Sequence, residues 1–152
     1  RNNLDGLSPG AFHSCGLNRN GRGFCWGSNQ WGNLGNGSLE PSLVPTQVSG
    51  LSNLVQITAG RRHSCAVTAT GRASCWGENE DGQLGDATQT DRSLPVRVFG
   101  SRLRFTAISA GSAHSCALRR DARVMCWGNN EAGQLGDRSN DSSARPVLVR
   151  FP

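Results

Sequence analysis

At 152 residues the chain fits one ordinary domain with a usable core, and its 36% hydrophobic content is patterned along the chain, which argues against disorder. The net charge of +5 is modest and is carried entirely by Arg, with no Lys, so it permits acidic partners without singling one out. No apolar run approaches the roughly 18 residues of a membrane span, which excludes helical insertion.

Taken in chain order, the sequence writes one unit three times, over residues 1–50, 51–100 and 101–152. The first copy opens on Leu4, Leu7 and Gly10. It continues through HSCGLNRNGRGFCWG at 13–27 and GNLGN at 32–36, and closes on a segment led by Pro45. The second repeats this with Leu54, Ile57 and Gly60, then HSCAVTATGRASCWG at 63–77, GQLGD at 82–86 and Pro95. The third has Phe105, Ile108 and Gly111, then HSCALRRDARVMCWG at 114–128, GQLGD at 133–137 and Pro146.

Within a unit the period is that of strands. LVQITAG alternates apolar and polar residues. HSCAV and ASCWG flank TATGR, a Gly-containing turn, and predict a hairpin. PVRV predicts a fourth strand beginning at its proline. Four short strands per unit, repeated, predict an all-β chain of β-propeller blades, each of four antiparallel strands.

The residues Gly60, His63, Ser64, Ala66, Trp76, Gly77, Asn79, Gly82, Gln83, Leu84, Gly85 and Pro95 resemble the regulator of chromosome condensation repeat. The third copy matches through Gly111, His114, Trp127, Gly128, Asn130 and Gly133 to Gly136; the first departs in writing GNLGN. The resemblance implies four-stranded blades in a ring of about seven, of which three stand here.

Each unit pairs its cysteines by the same spacing: Cys15 with Cys25, Cys65 with Cys75, Cys116 with Cys126. In a hairpin of constant index sum, Cys65 opposite Cys75 puts Ala66 opposite Ser74 and Val67 opposite Ala73, with the turn on Thr68 to Arg72. Opposed residues of a non-hydrogen-bonded pair have Cα atoms about 4.5 Å apart, within reach of a disulfide. Buried reduced thiols are the alternative. Zinc is the weaker reading, because His63 and Cys65 share a face with Cys75 and find no fourth ligand. Three disulfides would imply an oxidising compartment and hence a secreted or cell-surface protein.

No catalytic constellation, cofactor motif or phosphate loop is present. Ser64 follows His63 directly and points to the other face of the strand, so it is not that histidine's nucleophile. The recurring His predicts a bond to a backbone group, and Trp26, Trp76 and Trp127 predict core. The positions that do not repeat are the candidates for contact. Trp31 stands where the other copies have Asp81 and Ala132, and either meets a partner or packs locally. Arg61, Arg62, Arg119 and Arg120 form either a basic patch or a solvated face. Asn36 and Asn140 head N-glycosylation acceptor sequences.

These features predict a non-catalytic protein-interaction or adhesive module of an extracellular protein, binding through blade loops. A chromatin or small-GTPase partner, as the resemblance implies, is the alternative; a glycan-binding or enzyme-inhibiting propeller is the second. Paired cysteines and the lack of a Lys-rich tail disfavour the chromatin or small-GTPase reading, and nucleic acid is not an expected partner. The segment at residues 1–10 follows no Pro-led strand, while PVLV at 146–149 precedes no further unit. That predicts self-assembly by pairing 146–149 with the first blade of another chain, or else a fragment of a longer propeller.

Overall fold

The computed structural model describes residues 3–152. They form twelve strands: β1 (Leu4–Pro9), β2 (His13–Asn18), β3 (Gly23–Gly27), β4 (Ser42–Gln47), β5 (Leu54–Ala59), β6 (His63–Thr68), β7 (Ala73–Gly77), β8 (Arg92–Arg97), β9 (Phe105–Ala110), β10 (His114–Arg119), β11 (Val124–Gly128) and β12 (Ser143–Leu148). These make three antiparallel sheets of four, each in sequence order and each one repeat. The sheets are propeller blades.

The predicted hairpin register holds. Cys65 opposes Cys75, Ala66 opposes Ser74 and Val67 opposes Ala73, and the turn carries Gly71 at φ +83°. The three cysteine pairs are disulfides with Cα–Cα separations of 4.1, 4.0 and 4.0 Å.

Two expectations about the strands fail. The fourth strand does not begin at its proline: β4, β8 and β12 start three residues earlier, so Pro45, Pro95 and Pro146 sit inside them. The ladder tolerates this because these are the outermost strands and the register is irregular there, Cys75 pairing with Val96 and Gly77 with Arg92. The strand count behind the assembly argument fails as well. β12 is the fourth strand of the third blade, paired to β11, and β1 is the first strand of a blade that already has four. Among the described residues the first and third blades each have four strands, so exchange of residues 146–149 loses its basis.

Each meander turns at alternate ends of its sheet. One end, the loop end, carries the short turns 10–12, 60–62 and 111–113 and the long loops 28–41, 78–91 and 129–142. The hairpin end carries the turns 19–22, 69–72 and 120–123 and the blade-to-blade crossings 48–53 and 98–104. Backbone bonds hold neighbouring blades in step at both ends, from Ala11 N to Gly60 O at the first and from Leu54 N to Gly21 O at the second.

The core lies between sheets. Leu34, Val48 and the first disulfide of blade one pack against Leu54, Ile57 and Trp76 of blade two. Leu84, Val98 and the second disulfide pack against Phe105, Ile108 and Trp127 of blade three. Trp76 and Trp127 are fully buried, whereas Trp26, on the outer face of blade one, is half-buried.

The recurring histidine joins blades through a side chain, not a backbone group. His13 Nε2 lies 2.7 Å from Ser64 Oγ of the next blade, and His63 Nε2 lies 2.9 Å from Ser115 Oγ. Ser64 Oγ donates to Asn33 O at 2.9 Å, and Trp76 Nε1 donates to the same carbonyl at 3.0 Å. Ser115 Oγ and Trp127 Nε1 share Gln83 O in the same way, each at 2.9 Å. A hydroxyl has one proton. Since the serine gives its proton to the carbonyl, the histidine must be the Nε2–H tautomer, donating to Oγ. That leaves Nδ1 a bare acceptor, and Nδ1 of His13 and of His63 are indeed buried without partners.

Burial holds both imidazoles neutral: His13 is lowered to about 4, and His63 to about 3, with His13 and His114 adding to the effect at His63. Protonation would require a second donor hydrogen where Nδ1 has nothing to receive it.

Two outcomes follow from the joint. Ser64→Ala removes one donor to Asn33 O and the acceptor for His13, and is expected to cost about 2 kcal/mol in denaturant unfolding. A substitution that leaves the midpoint unchanged would contradict the joint. For pH, both histidines bind protons more tightly unfolded than folded, so stability is complete above about pH 6.5 and falls as pH drops through 6.5 toward 4 and 3. Unfolding monitored across pH 7 to 5 should take up about two protons at the lower end of that range.

Candidate functional site

The loop end is built on a stiff frame. In the second blade, the buried Asn79 reaches into its own long loop. Its Nδ2 donates to Thr88 O at 3.1 Å and Thr90 O at 3.0 Å, and its Oδ1 accepts from Leu84 N at 3.0 Å. Asp86 closes the far side by accepting from Thr88 Oγ1 at 2.6 Å and Thr88 N at 3.0 Å. Partial burial opposes its ionisation, but the bonds from Thr88 and Asn79 and the charge of Arg92 prevail and hold its carboxyl below the usual range. Asn130 and Asp137 repeat the arrangement in blade three. Blade one uses Asn29 and, in place of the aspartate, Asn36.

On this frame the structure places Trp31 and Arg62 together. The Arg62 guanidinium stands 4.1 Å from the centre of the Trp31 ring, and its Nη1 donates to Glu78 Oε1 at 3.1 Å. A loop of blade one, the β5–β6 turn and a loop of blade two thus meet in one Trp–Arg–Glu stack spanning the boundary between blades. Stacking and ion pairing on one guanidinium reinforce each other, because the ring leaves its in-plane donors free. Trp31 remains half-buried, and Arg61, the chain neighbour of Arg62, is exposed. Trp31 thus packs locally against Arg62 and keeps part of its surface accessible.

The four arginines do not form one patch. Arg61 and Arg62 lie at the loop end, and Arg119 and Arg120 border the β10–β11 turn at the hairpin end. Arg119 pairs with Asp121 at 2.8 Å, and Arg120 donates to Ala69 O of the preceding blade at 3.2 Å. The acceptor asparagines differ in setting. Asn36 Oδ1 accepts from Ser38 N at 3.1 Å as a structural part of its loop, whereas Asn140 is exposed, its Nδ2 donating to Glu131 O at 3.2 Å.

Sequence reasoning missed the Ser–His contact that recurs at both blade joints. It pairs residues of different repeats, and no local spacing reports it. It is not a nucleophile–base pair: Ser64 and Ser115 are fully buried, and Nε2 donates where a general base would have to accept. The histidine–cysteine set offers no metal site either, since His63 is engaged with Ser115 and all six cysteines are in disulfides.

Comparison with known proteins agrees with this geometry. The family model described as the regulator of chromosome condensation (RCC1) repeat matches residues 20–67 and 70–118. The Arabidopsis thaliana ultraviolet-B receptor UVR8 is 35% identical over 149 residues, covering 96% of this chain and 34% of its own length. The human X-linked retinitis pigmentosa GTPase regulator is 37% identical over 147 residues, covering 94% of this chain and 14% of its own. The chain thus spans about a third or less of the curated relatives it matches. Among solved structures, Prp20p of Saccharomyces cerevisiae superposes with a TM-score of 0.86 at 21% identity, over 97% of this chain and 38% of that one. The ectodomain of the Physcomitrella patens receptor kinase CR4 superposes with a TM-score of 0.56 at 30% identity, over 84% of this chain and 30% of that one. With the repeat model matched across most of its length, and with its blades superposing on those of Prp20p, the chain belongs to the RCC1 repeat family.

Proposed function

We propose that this chain is a non-catalytic protein-binding segment of an extracellular or cell-surface protein, which meets its partner through the loop end. The observation that carries the compartment is the set of three hairpin disulfides, one per blade, with no cysteine left free. Such cross-links persist in oxidising compartments and are rare in the cytosol. The likeness to a receptor-kinase ectodomain supports the same reading. The observation that carries the surface is the Trp31–Arg62–Glu78 stack, because rigid Trp and Arg side chains dominate the energetics of protein interfaces.

A second reading has its own support. One relative is named as a GTPase regulator, and the Prp20p structure is described with binding to Gsp1p and histones. Under that reading the chain is part of an intracellular partner of a small GTPase or of chromatin, and its cysteines are reduced.

Thiol counting separates the two. Protein recovered from its native source and denatured without reductant is expected to show no reactive thiol, and peptide mapping to recover Cys15–Cys25, Cys65–Cys75 and Cys116–Cys126. Free thiols in all three repeats would favour the intracellular reading. In a eukaryotic secretory pathway Asn140, with its exposed position, is the expected glycan acceptor, and Asn36, whose carboxamide holds its loop, is not. A native intact mass equal to the bare chain would reject that expectation.

A further inference from the structure

Charge is sorted between the two ends of the blades. The long loops of the loop end hold every acidic residue of the chain except Asp5 and Asp121. The hairpin end carries Arg19 and Arg22 on its first turn, Arg72 on the second, and Arg120 and Arg123 on the third. Arg97, Arg102 and Arg104 join them at the crossing from blade two to blade three. Asp5 pairs with Arg19, and Asp121 with Arg119 and Arg123. Among the described residues, Arg22, Arg72, Arg97, Arg102, Arg104 and Arg120 have no carboxylate in ion-pair range. The net charge of the whole chain conceals this separation.

Blade two adds a cavity to the basic end. It has a volume of about 410 Å³ and lies between the 50–53 crossing and the β6–β7 turn, with Arg72, Arg97, Ser74, Thr68 and Thr70 on its walls. Its origin is one cross-strand pair. Ser74 opposes Arg97, where blade one has Phe24 opposite Gln47 and blade three has Met125 opposite Leu148. A small hydroxyl side chain stands where the other blades have bulky apolar ones, which leaves the space open and ringed by donors. Arg97 Nη2 donates to Ser101 O at 3.2 Å, and no acidic side chain lines the walls.

We propose that the hairpin end binds an acidic polypeptide segment, anchored by a carboxylate seated between Arg72 and Arg97 beside Ser74. Guanidinium forks take carboxylates in two-point contact, and the hydroxyls complete the oxygen shell. No aromatic ring lines the cavity, so it offers no platform on which a nucleic-acid base could stack. The remaining arginines supply a field that gathers further acidic residues and fades with salt. This proposal rests on the reading of the chain as a binding module but not on Trp31, so either surface can fail alone.

The test is titration of the intact chain with labelled polyglutamate at low and at physiological salt, followed by fluorescence anisotropy. Binding is expected, weakening with salt. It should weaken about tenfold in Arg97→Gln, which installs the blade-one residue, and in Ser74→Met, which fills the cavity with the blade-three residue without changing charge. Arg138→Ser, at the loop end, should bind within about twofold of the parent. Thermal unfolding checks that each variant is folded; if Ser74→Met is not, Arg97→Gln with Arg72→Ser carries the test. Absence of binding at low salt, or equal loss in Arg138→Ser, would overturn the surface. Undiminished binding by a folded Ser74→Met would overturn the anchor. Tighter binding of heparin or oligothymidylate than of polyglutamate would overturn the choice of partner.

Discussion

One carbonyl per joint organises this structure. Asn33 O, and Gln83 O at the next joint, each receive two donors from the following blade, a serine hydroxyl and an indole N–H. The two donors are themselves cross-strand partners, Ser64 opposite Trp76 and Ser115 opposite Trp127. The adjacent rung of each ladder is the disulfide. A slip of one residue in that hairpin would put the two donors on opposite faces, and the cross-link forbids the slip. The cysteines therefore hold the geometry of the joint as well as the hairpin, and the buried histidine completes it by donating to a lone pair of the serine oxygen.

What the sequence made legible was local. The repeat, the hairpins and the pairing of Cys65 with Cys75 depend on spacing within a few tens of residues, and spacing determines them. The contacts that were not legible join residues about fifty apart on different sheets. His13 and Ser64 occupy unlike positions of the repeat, so comparing the copies never sets them side by side. Proline points to the start of the fourth strand, but an outermost strand with an irregular register accepts it internally.

The candidate surfaces divide along the same line. Trp31 could be picked out as an exception to the repeat, but its stack with Arg62 and Glu78 crosses a blade boundary and required the fold. The arginine pairs looked alike in sequence and lie at opposite ends of the sheets, because one precedes the second strand of its blade and the other follows it. The sorting of acidic loops from basic turns becomes visible once alternate connections are known to share an end. Ser74 becomes notable only beside Phe24 and Met125, its counterparts in the other two blades.

The joint also has a direction. Every blade offers a histidine and a carbonyl forward, and a serine and a tryptophan backward, and these fittings are the same in kind from one repeat to the next. Whole blades can therefore be duplicated, deleted or exchanged between chains of this type without a new contact having to arise, provided the cut falls at a crossing such as 48–53. A cut between the second and third strands of a blade would split the serine from its tryptophan and break that joint. Growth of such chains by entire repeats, at varied copy number, is what this one-way coupling permits.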